Sequence, residues 1–316
     1  MMGPHPAVAE IRSAVRRMLG DLDGNVLVAC SGGADSVALM AAVAFEAPRV
    51  GVRAGVVTVD HGLQEGSAEQ AARVAALGYE MGLDPVQTVV VAVQRAGGPE
   101  GAARAARYGA LRGAADALGA SILLGHTLDD QAETVLLGLG RGSGPRSIAG
   151  MRVIDDRFAR PLLGIRRTTT RAACAALGLA VWDDPHNLDP SYQRVRLRVE
   201  VLPLLEDVLQ GGVAEALART ATLLRADLEA LDALAAGFAF DGVLVAAELA
   251  AMAPAVRHRV LRAWARRGGA GALTYDHLAA LDGLVAHWRG QGPIDLPGGR
   301  RVARASGRLE ITSDDS

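Results

Sequence analysis

Three carboxylates, Asp129, Asp130 and Glu133, fall close together in the stretch Gly125-His126-Thr127-Leu128-Asp129-Asp130-Gln131-Ala132-Glu133-Thr134. On a helix, residues three and four apart are neighbours, so all three acids gather. Such grouped like charges are mildly destabilising unless a cation or basic ligand neutralises them. Acids in a first helical turn also suit the helix dipole, which accounts for Asp129 and Asp130 better than for Glu133. The pattern fits a site for Mg²⁺, for an amine substrate, or for both. A second stretch lies upstream, where strand-like Val26–Cys30 runs into Ser31-Gly32-Gly33-Ala34-Asp35-Ser36 and then an alanine-rich helical pattern. A strand, a tight glycine turn and a helix N-terminus make an anion site, because free backbone N–H groups converge there. Amides from Gly32 to Ser36 would cradle a phosphate, and Ser31 and Ser36 add hydroxyl donors. Bare phosphate would repel Asp35, so it orients the loop, helps hold Mg²⁺ or caps the helix.

Other candidates are weaker alone. Asp60 ends a second strand-like run in Val59-Asp60-His61-Gly62-Leu63 and could contact a nucleotide or a metal, whereas His61 suits a local structural role. Glu100 and Arg104 have surface-pair spacing, while Arg104 and Arg107 share a helix face that could meet phosphate or carboxylate.

Alternating strands and helices must bring these residues together. Ala7–Leu19 carries Val8, Ile11, Val15 and Met18 at helical spacing. Strand-like Val52–Val59, Val86–Val93 and Ser121–Gly125 alternate with helical Ser67–Met81, Pro99–Leu118 and Asp129–Leu139, and Met151–Pro161 reads as a short strand pair. This order predicts an α/β fold with a parallel five-stranded, Rossmann-like sheet and helices on both faces. Ligands of such sheets sit outside the carboxyl ends of the strands, at a topological switch point. Ser31, Asp60 and His126 each follow a strand end. Helical Arg166–Leu177 and Val195–Leu209 come next, and Gly211-Gly212 marks a linker. The expected domains are therefore residues 1–210 and a smaller, mainly helical domain over 211–316. The latter has helices over Val213–Ala235, Pro254–Arg267 and Tyr275–Trp288, with strand-like patches in Arg301–Thr312.

Composition sets bounds. The 316 residues carry a net charge of −2, and all 33 basic residues are arginine. With no lysine there is no Walker-type loop, which needs one to reach the phosphates. Cys30 and Cys174 form neither a C-x-x-C pair nor metal-ligand spacing, so a reduced, cytoplasmic protein is expected. No apolar run reaches the roughly eighteen residues of a membrane span, and neither membrane association nor a signal peptide is expected. Any nucleic-acid surface must be local, and Arg257–Arg308 supplies one, with ten arginines against Asp276, Asp282 and Asp295.

Together these motifs resemble the tRNA(Ile)-lysidine synthetase family, one of the N-type ATP pyrophosphatases built on a PP-loop. The resemblance covers roughly Val26 to Pro203. It rests on SGGADS, VDHGL, Glu100/Arg104/Arg107/Tyr108, GHTLDDQAET, RGSG with Gly150-Met151, and Arg160-Pro161-Leu162-Leu163. Trp182-x-Asp184-x-x-Asn187 and Arg194-x-x-x-Arg198 complete it. The chain departs from the family at His186, in the stretch after Gly144, and at Thr127, where a second histidine is frequent.

The resemblance implies ATP-dependent joining of free L-lysine to C2 of cytidine 34 in the CAU anticodon of tRNA(Ile), through an adenylated cytidine, releasing pyrophosphate and AMP. ATP would lie on Ser31, Gly32, Gly33, Ala34, Asp35 and Ser36, with Mg²⁺ near Asp35 and Asp129. Catalytic roles would fall to Asp35, Asp60, His126, Asp130 and Glu133. Lysine or tRNA contacts would come from Glu100, Arg104, Arg107, Asp130, Glu133, Arg194 and Arg198. A homodimer is compatible with the sequence. The alternatives are another PP-loop enzyme, such as a tRNA-cytidine thiolase or an amidotransferase-type synthetase, and a non-catalytic nucleotide-dependent RNA-binding protein.

Overall fold

The computed structural model describes residues 3–60, 62, 66–91, 99–142, 144–184, 189–238 and 242–313, with main chain only at 99, 100, 102 and 103. His61, His186 and Asn187 therefore lie outside the described residues.

Helix α1 (Pro6–Gly20) precedes strand β1 (Asn25–Ala29), α2 (Ala34–Glu46), β2 (Ala54–Asp60), α3 (Ser67–Glu80) and β3 (Val86–Val90). Next come α4 (Pro99–Leu118), β4 (Ala120–Leu124), α5 (Leu128–Arg141) and the short α6 (Pro145–Ile148). The two-residue strands β5 (Ile154–Asp155) and β6 (Phe158–Ala159) lead into α7 (Arg167–Ala176). The strands form one sheet in the order β3-β2-β1-β4-β6-β5. Five run parallel, as the alternation predicts, and β5 adds a sixth by pairing antiparallel with β6.

Strand β1 is the axis of this layer because both of its faces are apolar. Val26 and Val28 pack with α1, α2 and α7 on one side, and Leu27 and Ala29 pack with Leu111, Ala114 and Ala115 of α4 on the other. Side chains alternate across a strand, so a continuous apolar run is what a doubly covered strand requires. Each such aliphatic side chain contributes about 1.5–3 kcal/mol on burial. The chain moves to β2 on one side of β1 and to β4 on the other, so the switch point opens above β1 and β4.

Downstream, α8 (Gln193–Arg196), a π-helical turn (Leu197–Val201) and α9 (Leu202–Val208) lead to α10 (Val213–Ala236). The chain divides into one unit of residues 1–141 and 150–221 and a second of 142–149 and 222–316. The sequence places that boundary at Gly211-Gly212; the division instead falls inside α10, and packing gives the reason. Ala214, Leu217 and Ala218 of α10 join Leu128, Ala132 and Leu136 of α5 and Leu202 in one apolar cluster, tying the first turns of α10 to the first unit.

The second unit continues through β7 (Leu244–Val245), α11 (Ala246–Ala250), α12 (Pro254–Arg267), α13 (Tyr275–Ala286), β8 (Ile294–Leu296), β9 (Arg300–Ala305) and β10 (Arg308–Ser313). Its core gathers Trp264, Leu244, Leu249, Leu261, Leu281, Leu284, Val302 and Leu309. A four-stranded antiparallel sheet, β7-β10-β9-β8, covers that core; β9 and β10 lie where strand-like patches are expected over Arg301–Thr312, and the short β7 and β8 are added to them. Strands of two or three residues are too short to show an alternation. No helix among the described residues is long and apolar enough to cross a membrane.

Candidate active site

Residues Ser31–Ser36 turn from β1 into α2, and among the described residues no side chain caps the helix at Gly33. The loop is braced from beneath. Ser36 Oγ accepts from the Ser31 amide at 3.2 Å and donates to the Gly33 carbonyl at 2.9 Å. Cys30 Sγ donates to Ser36 Oγ and Cys174 Sγ to the Ala34 carbonyl, so both cysteines are buried structural groups. The Trp182 amide donates to the Gly32 carbonyl at 2.9 Å, which gives the tryptophan motif its place.

The carboxylate stretch abuts this loop. A Cβ added at Gly125, beside β4, would stand 3.0 Å from the Asp35 carbonyl carbon and 3.1 Å from Ser36 Cα. That close approach of main chains carries His126 and the start of α5 to the switch point. Thr127, fully buried, donates to Asp130 Oδ2 from its amide at 2.8 Å and its hydroxyl at 2.7 Å. A histidine side chain would lose this hydroxyl donor. Gln131 clamps the Gly150-Met151 turn with two hydrogen bonds to the Met151 main chain.

The acids are already met by arginines. Arg167 donates through Nη2 to Asp130 Oδ1 at 2.7 Å, through Nη1 to Glu133 Oε1 at 3.4 Å, and through Nε to Asp35 Oδ2 at 3.3 Å. Arg198 donates to both oxygens of Glu133, through Nε to Oε1 at 2.8 Å and through Nη2 to Oε2 at 3.2 Å. It sits in the π-helical turn, a distortion frequent at functional sites. Thr170 Oγ1 donates to Asp35 Oδ1, and the Arg167 amide donates to Asp129 Oδ2 at 2.7 Å. Arg166 also faces Asp129.

Electrostatics follow from burial and these partners. Burial opposes ionisation of Asp130, yet Arg167, the Thr127 amide and His126 hold its carboxyl below the usual range. Burial pushes Asp35 up against the opposing pull of Thr170 and Arg167. Burial works against the Arg167 charge, but Asp130, Glu133, Asp35 and Asp129 together raise it. Burial lowers His126 from 6.5 to about 3 against the pull of Asp130, so its imidazole is neutral at pH 7. Among the described residues its buried Nδ1 has no hydrogen-bond partner, leaving a polar atom to meet a ligand.

A pH dependence follows from His126. Below pH 6.5 the unfolded chain takes up a proton that the folded site refuses down to about 3. Stability is therefore expected to fall as pH drops through that window. His126→Gln should flatten the decline, measured as Tm against pH; an unchanged slope would assign the acid sensitivity to other groups.

Asp35, His126, Asp130, Glu133 and Arg198 thus lie in one connected cluster with the loop Ser31–Ser36. Arg107 belongs to its electrostatic surroundings: burial lowers its guanidinium, and it acts on both Cys30 and His126. Asp60 is buried at the end of β2 and accepts from the Gly62 amide at 2.9 Å. Arg104 is exposed, donates to Tyr108 and stacks over its ring. Arg194 is half-buried one turn before Arg198, and the Glu100 side chain lies outside the described residues. No group of three or more His, Cys, Asp or Glu side chains suited to a metal occurs among the described residues.

Sequence reasoning missed Arg166, Arg167 and Thr170. One signal was present: two arginines open helix α7, where the helix dipole disfavours cations. Acids facing that end remove the conflict.

The ten-arginine window also resolves. Arg257 is buried against Asp282 at 2.6 Å, Arg301 pairs with Asp295, and Arg304 donates to the Leu284 carbonyl. In contrast, Arg259, Arg262, Arg266 and Arg267 of α12 line a cavity of about 880 Å³ with Arg146, Phe238 and Asp232. Asp232 pairs with Arg146 and Arg259. Burial and the charges of Arg146, Arg266 and Arg259 all push Arg262 down, an environment suited to an anion.

Comparison with known proteins agrees with this division. A PP-loop domain model matches residues 8–205, and a TilS substrate binding domain model matches residues 244–310. The tRNA(Ile)-lysidine synthase of Thermobifida fusca is 56% identical over 99% of this chain and 100% of its own length. That of Salinispora arenicola is 58% identical over 97% of this chain and 96% of its own. Among solved structures, the U34-tRNA thiolase NcsA from Methanococcus maripaludis shares the fold, with a TM-score of 0.57 and 18% identity over 69% of this chain and 80% of that one.

Proposed function

The chain belongs to the tRNA(Ile)-lysidine synthase family, and we propose that the loop Ser31–Ser36 and the Asp130/Glu133 cluster divide its reaction between them. It is an ATP-dependent carbon–nitrogen ligase that joins lysine to cytidine 34 of tRNA(Ile). In the first step the C2 oxygen of the cytidine attacks the α-phosphate and pyrophosphate leaves. In the second, the lysine ε-amine attacks C2, loses a proton, and AMP departs with the oxygen. The thiolase, amidotransferase and non-catalytic alternatives are not favoured, and both cysteines are committed to packing under the loop.

The observation that carries the assignment of roles is the contact of an anion loop with a carboxylate pair at the carboxyl ends of β1 and β4. The amides of Gly32–Ser36, at a helix start without a side-chain cap, stabilise the charge developing on pyrophosphate. Neutral His126, with its unpartnered Nδ1, meets the phosphate or the cytosine edge. Asp130 and Glu133 receive the lysine ammonium, and one of them takes its proton, since an amine of pKa about 10.4 must deprotonate to attack. Asp60, Glu100, Arg104, Arg107 and Arg194 are proposed outer contacts for the nucleotide or the anticodon.

Mg²⁺ belongs to the ATP co-substrate in this reading. Asp35 already accepts from Thr170 and Arg167, so the phosphates supply the ion's main ligands. The protein is proposed to act in the cytoplasm.

Labelled lysine should enter a tRNA(Ile) bearing cytidine 34 only when ATP is present. Hydrolysis of ATP with a different acceptor, and no lysine incorporation, would overturn the assignment. The arginines of α12 are proposed to hold the tRNA backbone. Arg262→Ala with Arg266→Ala should lower the slope of log affinity against log salt by about 1 per arginine. An unchanged slope in a filter-binding titration would remove that face from the RNA interface.

A further inference from the structure

The ion pairs at the carboxylate cluster pose a problem for an incoming amine. Glu133 has no exposed side chain, and both of its oxygens accept from Arg198, one also from Arg167. Asp130 gives Oδ2 to Thr127 and Oδ1 to Arg167. An ammonium needs carboxylate oxygens for its three donors, and a guanidinium already stands at each. A cation can enter here only by displacing a cation.

Among the described residues, Arg167 is the side chain that donates both to the carboxylate pair and to the phosphate loop, the latter through its Nε contact with Asp35 at 3.3 Å. Its main chain is pinned, with the amide on Asp129, so the side chain is the part that can shift. We propose that Arg167 is a positioning residue that sets the order of substrate entry. It closes Asp130 and Glu133 to lysine until the phosphates of ATP, seated beside Asp35, draw its guanidinium toward the loop.

Charge counting supports the exchange. With Arg167 and Arg198 in place, Asp35, Asp130 and Glu133 carry one uncompensated negative charge. A polyphosphate offers several charged oxygens against the two carboxylates, Asp130 and Glu133, that the guanidinium would leave, and the planar fork of arginine suits phosphate oxygens. Once Arg167 has turned with Asp35 toward the phosphates, Asp130 and Glu133 face Arg198 alone. One negative charge remains there, which one ammonium neutralises. The loop thereby reports its occupancy to the amine site, and lysine follows ATP.

This inference rests on the lysidine-synthase reading, and the test separates the two. Binding of labelled L-lysine is measured by equilibrium dialysis, with and without an ATP analogue carrying a methylene between its α- and β-phosphates. The wild-type protein is expected to bind lysine at least tenfold more tightly with the analogue. Arg167→Gln is expected to bind lysine without the analogue within about threefold of the loaded wild type. Failure of either expectation overturns the proposed order. If Arg167→Gln does not unfold cooperatively, Arg167→Lys carries the test: its retained cation should restore nucleotide dependence, but more weakly than arginine. In catalysis, Arg167→Gln should raise KM for ATP while KM for lysine falls or holds, a split that a merely structural loss would not produce. A wild-type protein that makes lysidine yet binds lysine equally in both states sinks only the order of entry. One that makes no lysidine sinks the reading beneath it.

Discussion

Asp130→Asn is expected to slow lysine incorporation by about 10²–10⁴-fold, the range for loss of a general acid–base group, while leaving pyrophosphate release from ATP and tRNA far less affected. Asparagine keeps the shape and can still accept from the Thr127 amide and hydroxyl, which hold Asp130 Oδ2 at 2.8 and 2.7 Å. It loses the charge that faces Arg167 at 2.7 Å and that would pair with the lysine ammonium. Some loss of stability follows as well, because Arg167 is 18% exposed and loses its shortest ion pair, keeping the longer contacts with Glu133 and Asp35. Losing one charged hydrogen bond of this kind costs about 2 kcal/mol. The two effects separate experimentally. Thermal unfolding reads the stability, and the ratio of labelled lysine joined to pyrophosphate released reads the chemistry. An unchanged ratio would take Asp130 out of the lysine site.

The second large effect is expected at Gly32. Its φ is +88°, a conformation that costs a residue with a Cβ about 1–2 kcal/mol. An added Cβ would also stand 1.8 Å from Gln70 Nε2, 3.0 Å from Gln70 Cδ and 3.2 Å from Val74 Cγ2. Gln70 has little room to yield, since it is buried and its Oε1 accepts from Arg73 at 2.9 Å. Gly32→Ala should therefore push the loop off α3, strain the Trp182 amide bond to the Gly32 carbonyl, and destroy most ATP binding. Gly33→Ala is the control for stability. Gly33 has φ of −72°, and the nearest atoms to its added Cβ are 3.9 Å away. The Tm of Gly33→Ala should stay near wild type while that of Gly32→Ala falls by several degrees, with ATP affinity read by calorimetry. Equal behaviour of the two variants would show that the loop tolerates both.

These neighbouring glycines mark the boundary between pattern and packing. The dipeptide announces a turn before a helix, and both positions read alike in the sequence. What distinguishes them is Gln70 on α3, which packs onto one and not the other. The same boundary runs through the carboxylates. Asp130 and Glu133 are three residues apart on α5, so their proximity follows from helix geometry alone. Their neutralisation by Arg167 and Arg198 joins residues 34 to 65 positions apart, and helical spacing carries no information over such separations.

Period and punctuation in the chain determined the parallel α/β layer, the helices α4 and α12, and the phosphate loop at a strand end, because these depend on residues within a few turns of one another. Sequence also placed Asp130 and Glu133 together. Tertiary structure decided which charges those acids meet. It carried Thr170 to Asp35 across 135 residues and Arg167 to the same carboxylate across 132. It also gathered Gly142–Ala149 into the second unit, where Arg146 lines the arginine cavity. The physical reason is the same in each case. Backbone propensity and hydrophobic periodicity are local, whereas an ion pair forms wherever packing leaves two opposite charges no better partner.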